Sequence, residues 1–296
     1  MTTTDTPRKR FRAMLAADGI IVAPGVYDGL TATLVARTGF SAAYMTGAGT
    51  SVARGYPDYG LITMTEMVAN ADVICGAVDI PVIADADTGY GNELNVTRTV
   101  REFERAGVAG IHIEDQGFPK KCGHLDDKEI IPLDAYTAKI RAAAAARTDP
   151  DFVIIARTDA RAVEGFEAAV KRSNAALDAG ADMIFLEAPQ TVEELAAVPK
   201  EVRGPCLFNY VEGGKTPTID MARAEAMGFK LAILPGLLLR HVIATCEGIL
   251  TDFHTKNALP PPTSGIGVRD IFARVGAAEW DALRHKFADP SRDAAE

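Results

Sequence analysis

The chain has 296 residues, 48% of them hydrophobic, with a net charge of −9 and a mean hydropathy near zero. That length buries a large core. The acidic balance argues against a nucleic-acid binder held by phosphate contacts, although a local group of cations still admits an anionic small substrate.

Cys75, Cys122, Cys206 and Cys246 lie far apart with no C-x-x-C pair. Neither a zinc site nor a disulfide framework is expected, and a reducing cytosol is the default. Residues 1–12 are polar and basic, with no apolar segment of the signal-peptide kind. No apolar run approaches the roughly 18 residues of a membrane span. A soluble cytoplasmic protein without a membrane partner is expected.

In chain order, residues 7–17 read as a helix closed by Asp18-Gly19, and an apolar run over 20–23 ends at Pro24-Gly25. Asp28 suits the N-cap of a helix over 29–37, with Gly39 as its stop. The next run, 42–45, ends in Thr46-Gly47-Ala48-Gly49. Further apolar runs follow at 82–84, 110–113, 152–156, 183–186, 206–208 and 231–234. Helical periods over 65–78, 92–105, 134–146, 165–178, 191–198 and 218–227 separate them. An apolar helix over 236–254, a break at Pro260-Pro261-Pro262 and two short helices complete the chain.

Continuous apolar runs are strands buried on both faces, and their alternation with helices makes right-handed parallel βα units. Eight such units predict an α/β chain folded as a (β/α)8 TIM barrel; an open doubly wound sheet is the competing topology. Polar or Gly-rich residues after nearly every strand favour the barrel, whose site would form a ring. One barrel domain is expected over 1–296, with a helical extension from about 236 to 296. That extension is too small for its own core, so a neighbouring subunit is its natural support.

Two connections are long, 46–63 and 115–132, and such loops are usually functional or disordered. Asp85 and Asp87 are alternate residues at a strand end, so both are expected to face the barrel mouth. Together with Glu114 on the neighbouring strand they form a hard-oxygen set suited to magnesium or manganese. His112 reads as a packed barrel residue. Cys122 follows Lys120-Lys121 and precedes Gly123-His124; cations depress a thiol pKa, so a reactive thiolate or a tunable general acid is expected there. Arg157 suits a carboxylate or phosphonate, or else a salt bridge to Asp159 or Glu187. Glu187, Asn209 and Glu212 extend the polar ring. The Gly-rich segment 209–217 lacks the spacing of a phosphate-binding P-loop.

Seven motifs in order carry a resemblance to a known family. They are Thr46-Gly47, Gly55-Tyr56-Pro57-Asp58-Tyr59-Gly60, Asp85-Ala86-Asp87-Thr88-Gly89-Tyr90-Gly91, Glu114-Asp115-Gln116, Lys120-Lys121-Cys122-Gly123-His124, Ala156-Arg157-Thr158-Asp159, and Asn209-Tyr210-Val211-Glu212-Gly213-Gly214-Lys215-Thr216-Pro217. Over residues 19–262 the chain resembles the isocitrate lyase/phosphoenolpyruvate mutase superfamily.

The resemblance implies a barrel whose last helix is swapped between subunits of a homotetramer. It implies Mg²⁺ near Asp85, with Asp58, Asp87 and Glu114 holding its water shell. Thr46, Gly47, Ala48 and Arg157 would bind substrate carboxylates, with Tyr44, Lys121, Gly123, Glu187, Asn209 and Glu212 completing the substrate site. The loop carrying Cys122 and His124 would close as a gate, with Cys122, His124, Glu114 and Arg157 as catalytic candidates. The cysteine motif resembles that of the lyases, which cleave a 2-hydroxy di- or tricarboxylate into an α-keto acid and a carboxylic acid. The segment 209–217 looks closest to the 2,3-dimethylmalate lyase branch, with 2-methylisocitrate lyases next. Thr46 departs from the family serine. A phosphonomutase forming a P–C bond, and a catalytically silent dicarboxylate-binding barrel, are the alternatives.

Overall fold

The computed structural model describes residues 5–125, 127–263 and 265–288. The strands are β1 (Ile21–Val26), β2 (Ala43–Met45), β3 (Val82–Asp85), β4 (Gly110–Glu114), β5 (Val153–Thr158), β6 (Met183–Leu186), β7 (Leu207–Asn209) and β8 (Leu231–Leu234). The helices are α1 (Pro7–Ala16), α2 (Gly29–Arg37), α3 (Gly47–Ala53), α4 (Met64–Ala77), α5 (Glu93–Arg105), α6 (Leu133–Ala146), α7 (Ala160–Val163), α8 (Phe166–Asp178), α9 (Val192–Glu201), α10 (Met221–Met227), α11 (Leu237–Lys256), α12 (Val268–Arg274) and α13 (Ala277–Phe287).

All eight strands run parallel, in the order β6-β5-β4-β3-β2-β1-β8-β7. A bridge between Ile184 and Cys206 joins β6 to β7 and closes the ring. The doubly wound alternative is thereby excluded, and each expected apolar run lies on one of the strands. Local signals start the helices: the side chains of Asp28, Thr63 and Asn92 each accept an N–H of the first turn while the third helical residue answers in a capping box.

Two helices were not anticipated. α3 lies inside the connection 46–63, where Gly47 and Gly49 hide the helical period, and Thr46 caps it by accepting the N–H of Gly49 at 3.2 Å. α7 is a single short turn after β5.

Strand alternation divides the apolar side chains between two layers. Ile21, Ala23, Tyr44, Ile83, Val153, Ile155, Met183, Phe185, Leu207, Leu231 and Ile233 form the inner cluster. Their neighbours in sequence, such as Met45, Ala84, Ile111, Ile154, Ile184 and Phe208, pack outward against the helices. Helix α1 supports the N-terminal end: Phe11 joins the inner cluster, and Arg8 and Arg12 donate to the carbonyls of Val108 and Phe152, just before β4 and β5. Continuing the inner files toward the strand C-termini replaces apolar residues with Asp85, His112, Glu114, Arg157, Glu187 and Asn209.

The chain divides into two compact units between Val242 and Ile243, inside α11, and the first unit contains the barrel. Helices α11, α12 and α13 bury no side chain. The final eight residues of the expected extension, 289–296, lie outside the described residues. Among the described residues no helix is long and apolar enough to cross a membrane.

Candidate active site

The files of alternating residues bring Asp85 and Glu114 into the mouth of the barrel, 5% and 0% exposed. Asp87 arrives differently from the expectation of a continued strand. The chain has left β3, and Asp87 sits at a left-handed φ of 46°, its N–H donating to Asp85 Oδ1 at 2.8 Å. A tight turn, not strand alternation, aims the second carboxylate. The backbone approaches closely here too: a Cβ on Gly47 would stand 2.5 Å from Asp85 Oδ2, so only glycine leaves that carboxylate in place.

Lys120 joins this cluster. Its Nζ is 2.5 Å from Asp58 Oδ1 and 2.5 Å from Asp87 Oδ1, in a side chain only 3% exposed. Burial would lower its pKa, but Asp87 and Asp58 hold it well above the usual lysine value. Lys121 lies apart from the cluster: its Nζ donates to the carbonyl of Asp127, and Gln116 clasps its backbone N–H and carbonyl at 3.0 and 2.8 Å. Two adjacent lysines offer no sequence signal for which one turns inward.

Arg157 occupies the other side of the mouth. It donates to Asp159 through Nε at 3.0 Å and Nη2 at 3.3 Å. It also lies 3.3 Å from Glu114 and 3.9 Å from Glu187, with its guanidinium 5.0 Å from the ring centre of Phe185. Both salt-bridge partners considered from sequence are therefore present. Glu187 pays the desolvation cost of full burial, yet Arg157 and His124 hold its carboxyl well below the usual range. Asn209 donates to it at 3.1 Å.

The connection after β4 lies against this ring. A Cβ on Gly123 would stand 2.3 Å from Glu187 Oε1 and 2.5 Å from Arg157 Nη2. Cys122 departs from one of its two expected readings, the cation-depressed thiolate. Burial pushes its thiol pKa up, outweighing the N–H of His124, while Asp58 and Glu187 push the same way. The flanking lysines are engaged elsewhere, so the sulfur is a protonated thiol, not a cation-stabilised thiolate.

Tyr44 and His112 lie beneath the carboxylates. The Tyr44 hydroxyl is 2.8 Å from His112 Nε2 and 3.5 Å from Asp85 Oδ2. Burial lowers the His112 pKa to about 3, so the imidazole is neutral. It is a packed residue as expected, stacked near Tyr44 and edge-on to Phe185. Thr46 and Gly47 are buried beside this group, and Ala48 follows in the first turn of α3. Glu212 is the expected member that lies outside the ring: its carboxylate is 66% exposed and 3.7 Å from Arg240.

The donor set suits a hard divalent cation. Burial raises the pKa of Asp85 and Glu114, and that of Asp87 to about 6, the cost a bound cation offsets. Both oxygens of Glu114 are buried without a hydrogen bond. Among the described residues no three His, Cys, Asp or Glu groups converge as a direct ligand cage. The Glu114 oxygens left without a hydrogen bond, beside Asp85 and Asp87, are hard ligands of the kind Mg²⁺ takes. Asp58, Asp85, Asp87 and Glu114 would hold it.

A parallel barrel with acidic and arginine residues and the loop after β4 at its C-terminal mouth is a site of the enzyme kind. Residues 11–254 match the phosphoenolpyruvate phosphomutase family, and the chain belongs to that family. It is 50% identical over 227 residues to 2,3-dimethylmalate lyase of Eubacterium barkeri, covering 76% of this chain and 78% of the relative. It is 44% identical over 252 residues to 2-methylisocitrate lyase of Aeropyrum pernix, covering 85% and 81%. The solved structure of oxaloacetate acetylhydrolase with 3,3-difluorooxalacetate superposes with a TM-score of 0.92 at 39% identity, covering 95% of this chain and 97% of that one.

Proposed function

We propose that the protein is a Mg²⁺-dependent carbon–carbon lyase that cleaves a 2-hydroxy di- or tricarboxylate of the 2,3-dimethylmalate or 2-methylisocitrate type. The products are an α-keto acid such as pyruvate and a carboxylic acid. The observation that carries this reading is the docked loop: a half-buried Cys122 on a segment whose Gly123 packs against Arg157 and Glu187.

Arg157, with the backbone around Thr46, Gly47 and Ala48, binds and orients the substrate carboxylates. Bound Mg²⁺ supplies Lewis-acid stabilisation of the negative charge that develops as the bond breaks. A buried carboxylate of the mouth takes the hydroxyl proton as the C–OH carbon becomes the keto group, and the electron pair of the broken bond passes to the departing half as an enediolate. The Cys122 Sγ–H gives that half its proton; the raised pKa keeps the proton on sulfur until the strongly basic enediolate forms. The closed loop excludes water from the enediolate.

Helices α11 to α13 bury no side chain and expose Leu250, Trp280 and Phe287 at 65%, 71% and 76%. Apolar surface of this kind marks an interaction site, which supports a homotetramer with exchanged C-terminal helices. Four free thiols suit a reducing cytoplasm.

Purified protein with Mg²⁺ and a panel of 2-hydroxy diacids tests the reading by keto-acid release. No release from any member overturns it. Phosphonate ³¹P signals from a phosphorylated enolpyruvate substrate, with Cys122→Ala harmless, would instead establish a phosphonomutase.

A further inference from the structure

We infer that Lys128 is a positioning residue, which pins the gate loop beside Cys122 and ties its closure to the placement of Arg157. The inference deepens the lyase reading and rests on it for the roles of Cys122 and Arg157. Lys128 belongs to none of the recognisable motifs, and in sequence it is one more charge on a charged loop. In the fold its side chain is 1% exposed.

Its ammonium has two partners. Nζ lies 2.7 Å from Asp159 Oδ1 and also donates to the carbonyl of Gly123. The Gly123 residue directly follows Cys122, so this contact fixes the peptide next to the thiol. Asp159 is itself held rigidly: its N–H donates to Asp115 Oδ1 at 2.8 Å, and Asp115 accepts the Thr158 hydroxyl at 2.6 Å. The same Asp159 carboxylate receives Arg157 on both of its oxygens. One fully buried carboxylate therefore serves the gate loop with one oxygen and the arginine with both.

The loop is thus pinned on each side of the thiol. Lys120 reaches the carboxylate cluster at Asp58 and Asp87, and Lys128 reaches the arginine side at Asp159. A buried ammonium is tolerated only while it is paired. When the loop lifts, Lys128 leaves Asp159, and the carboxylate that positions Arg157 loses its second cationic partner. Closure and arginine placement are one event.

The test replaces Lys128 with Met, which keeps the stem and removes the charge, and with Arg, which keeps the charge. Alkylation of Cys122 by iodoacetamide is followed by peptide-resolved mass spectrometry, since Cys246 is exposed. In Lys128→Met we expect Cys122 to react about tenfold faster than in the wild type, and kcat to fall about tenfold or more with pyruvate affinity in Mg²⁺ changed less than about threefold. Lys128→Arg is expected to recover part of both effects. A Cys122 reaction rate in Lys128→Met within about twofold of wild type overturns the proposal, as does a lower melting temperature with kcat and thiol reactivity unchanged. If Lys128→Met does not fold, Lys128→Arg decides: faster alkylation supports the pin, and wild-type alkylation with wild-type kcat overturns it. The alkylation rate requires no turnover, so it judges the pin even if no diacid is cleaved.

Discussion

The imidazole Nε2 of His124 stands 3.1 Å from Glu187 Oε1, joining the loop after β4 to the end of β6. Its Nδ1 accepts the backbone N–H of Lys215 at 3.0 Å, which puts a ring N–H on Nε2, facing the carboxylate. One side chain thus ties together the loops after β4, β6 and β7. Replacing His124 with Leu leaves Glu187 buried with one partner fewer, a cost of roughly 1–3 kcal/mol. We expect a lower melting temperature and a ten- to hundredfold loss, about the same energy, in kcat/KM for keto-acid release.

Cys122→Ser keeps the shape of the loop and replaces the thiol by a much weaker acid. We expect kcat to fall by about 10²–10⁴, the usual worth of a general acid, while calorimetry finds pyruvate binding with Mg²⁺ preserved. The raised thiol pKa keeps the proton on sulfur beyond its ordinary value. The alkaline limb of the wild-type kcat profile should therefore lie above about pH 8.5. Strong residual activity in the serine variant would show that Cys122 is not the proton donor.

Gly47→Ala places a methyl group 2.5 Å from Asp85 Oδ2, and either the carboxylate or the start of α3 has to move. Overpacking of this kind costs about 1–3 kcal/mol. A titration of activity against Mg²⁺ in chelator-treated protein should shift by about tenfold or more toward higher concentration. The wild type should be inactive after chelation and recover with Mg²⁺. An unshifted Mg²⁺ curve in the variant would remove Asp85 from the metal site.

His112 sets a dependence of stability on pH. Its folded pKa is about 3, against about 6.5 in an unfolded chain. Below pH 6.5 the unfolded chain takes up a proton that the fold refuses. The stability contribution of the neutral ring is therefore complete above pH 6.5 and is lost as pH falls toward 3. Denaturant unfolding in metal-free buffer should show the wild type losing roughly 2 kcal/mol more than His112→Gln between pH 6.5 and 5. Equal slopes for the two proteins would mean that the ring titrates normally.

Much of the fold was legible because its signals are local. Apolar runs became strands, and Asp28, Thr63 and Asn92 start helices through contacts two or three residues away. The period of two along each strand also aims Asp85, Glu114 and Arg157 inward, so these members of the site follow from spacing. Helix α3 escaped notice because glycine carries no side chain to reveal a helical period. Asp87 kept its place in the cluster for a different reason from the expected one, since a left-handed turn had replaced the strand.

Sequence alone indicated eight alternating strands and helices and placed Asp85, Glu114 and Arg157 at strand C-terminal ends, because these follow from periodicity and capping within a few residues. Closure of the strands into a ring was decided by the tertiary fold. Tertiary structure decided which lysine enters the carboxylate cluster, that Cys122 keeps its proton, that Glu212 stays at the rim and that Lys128 is buried against Asp159. Those outcomes depend on desolvation and on charges brought together from distant parts of the chain, as when Lys120 meets Asp58. The cations beside Cys122 in sequence do not offset its burial, because their ammonium groups are turned toward other partners.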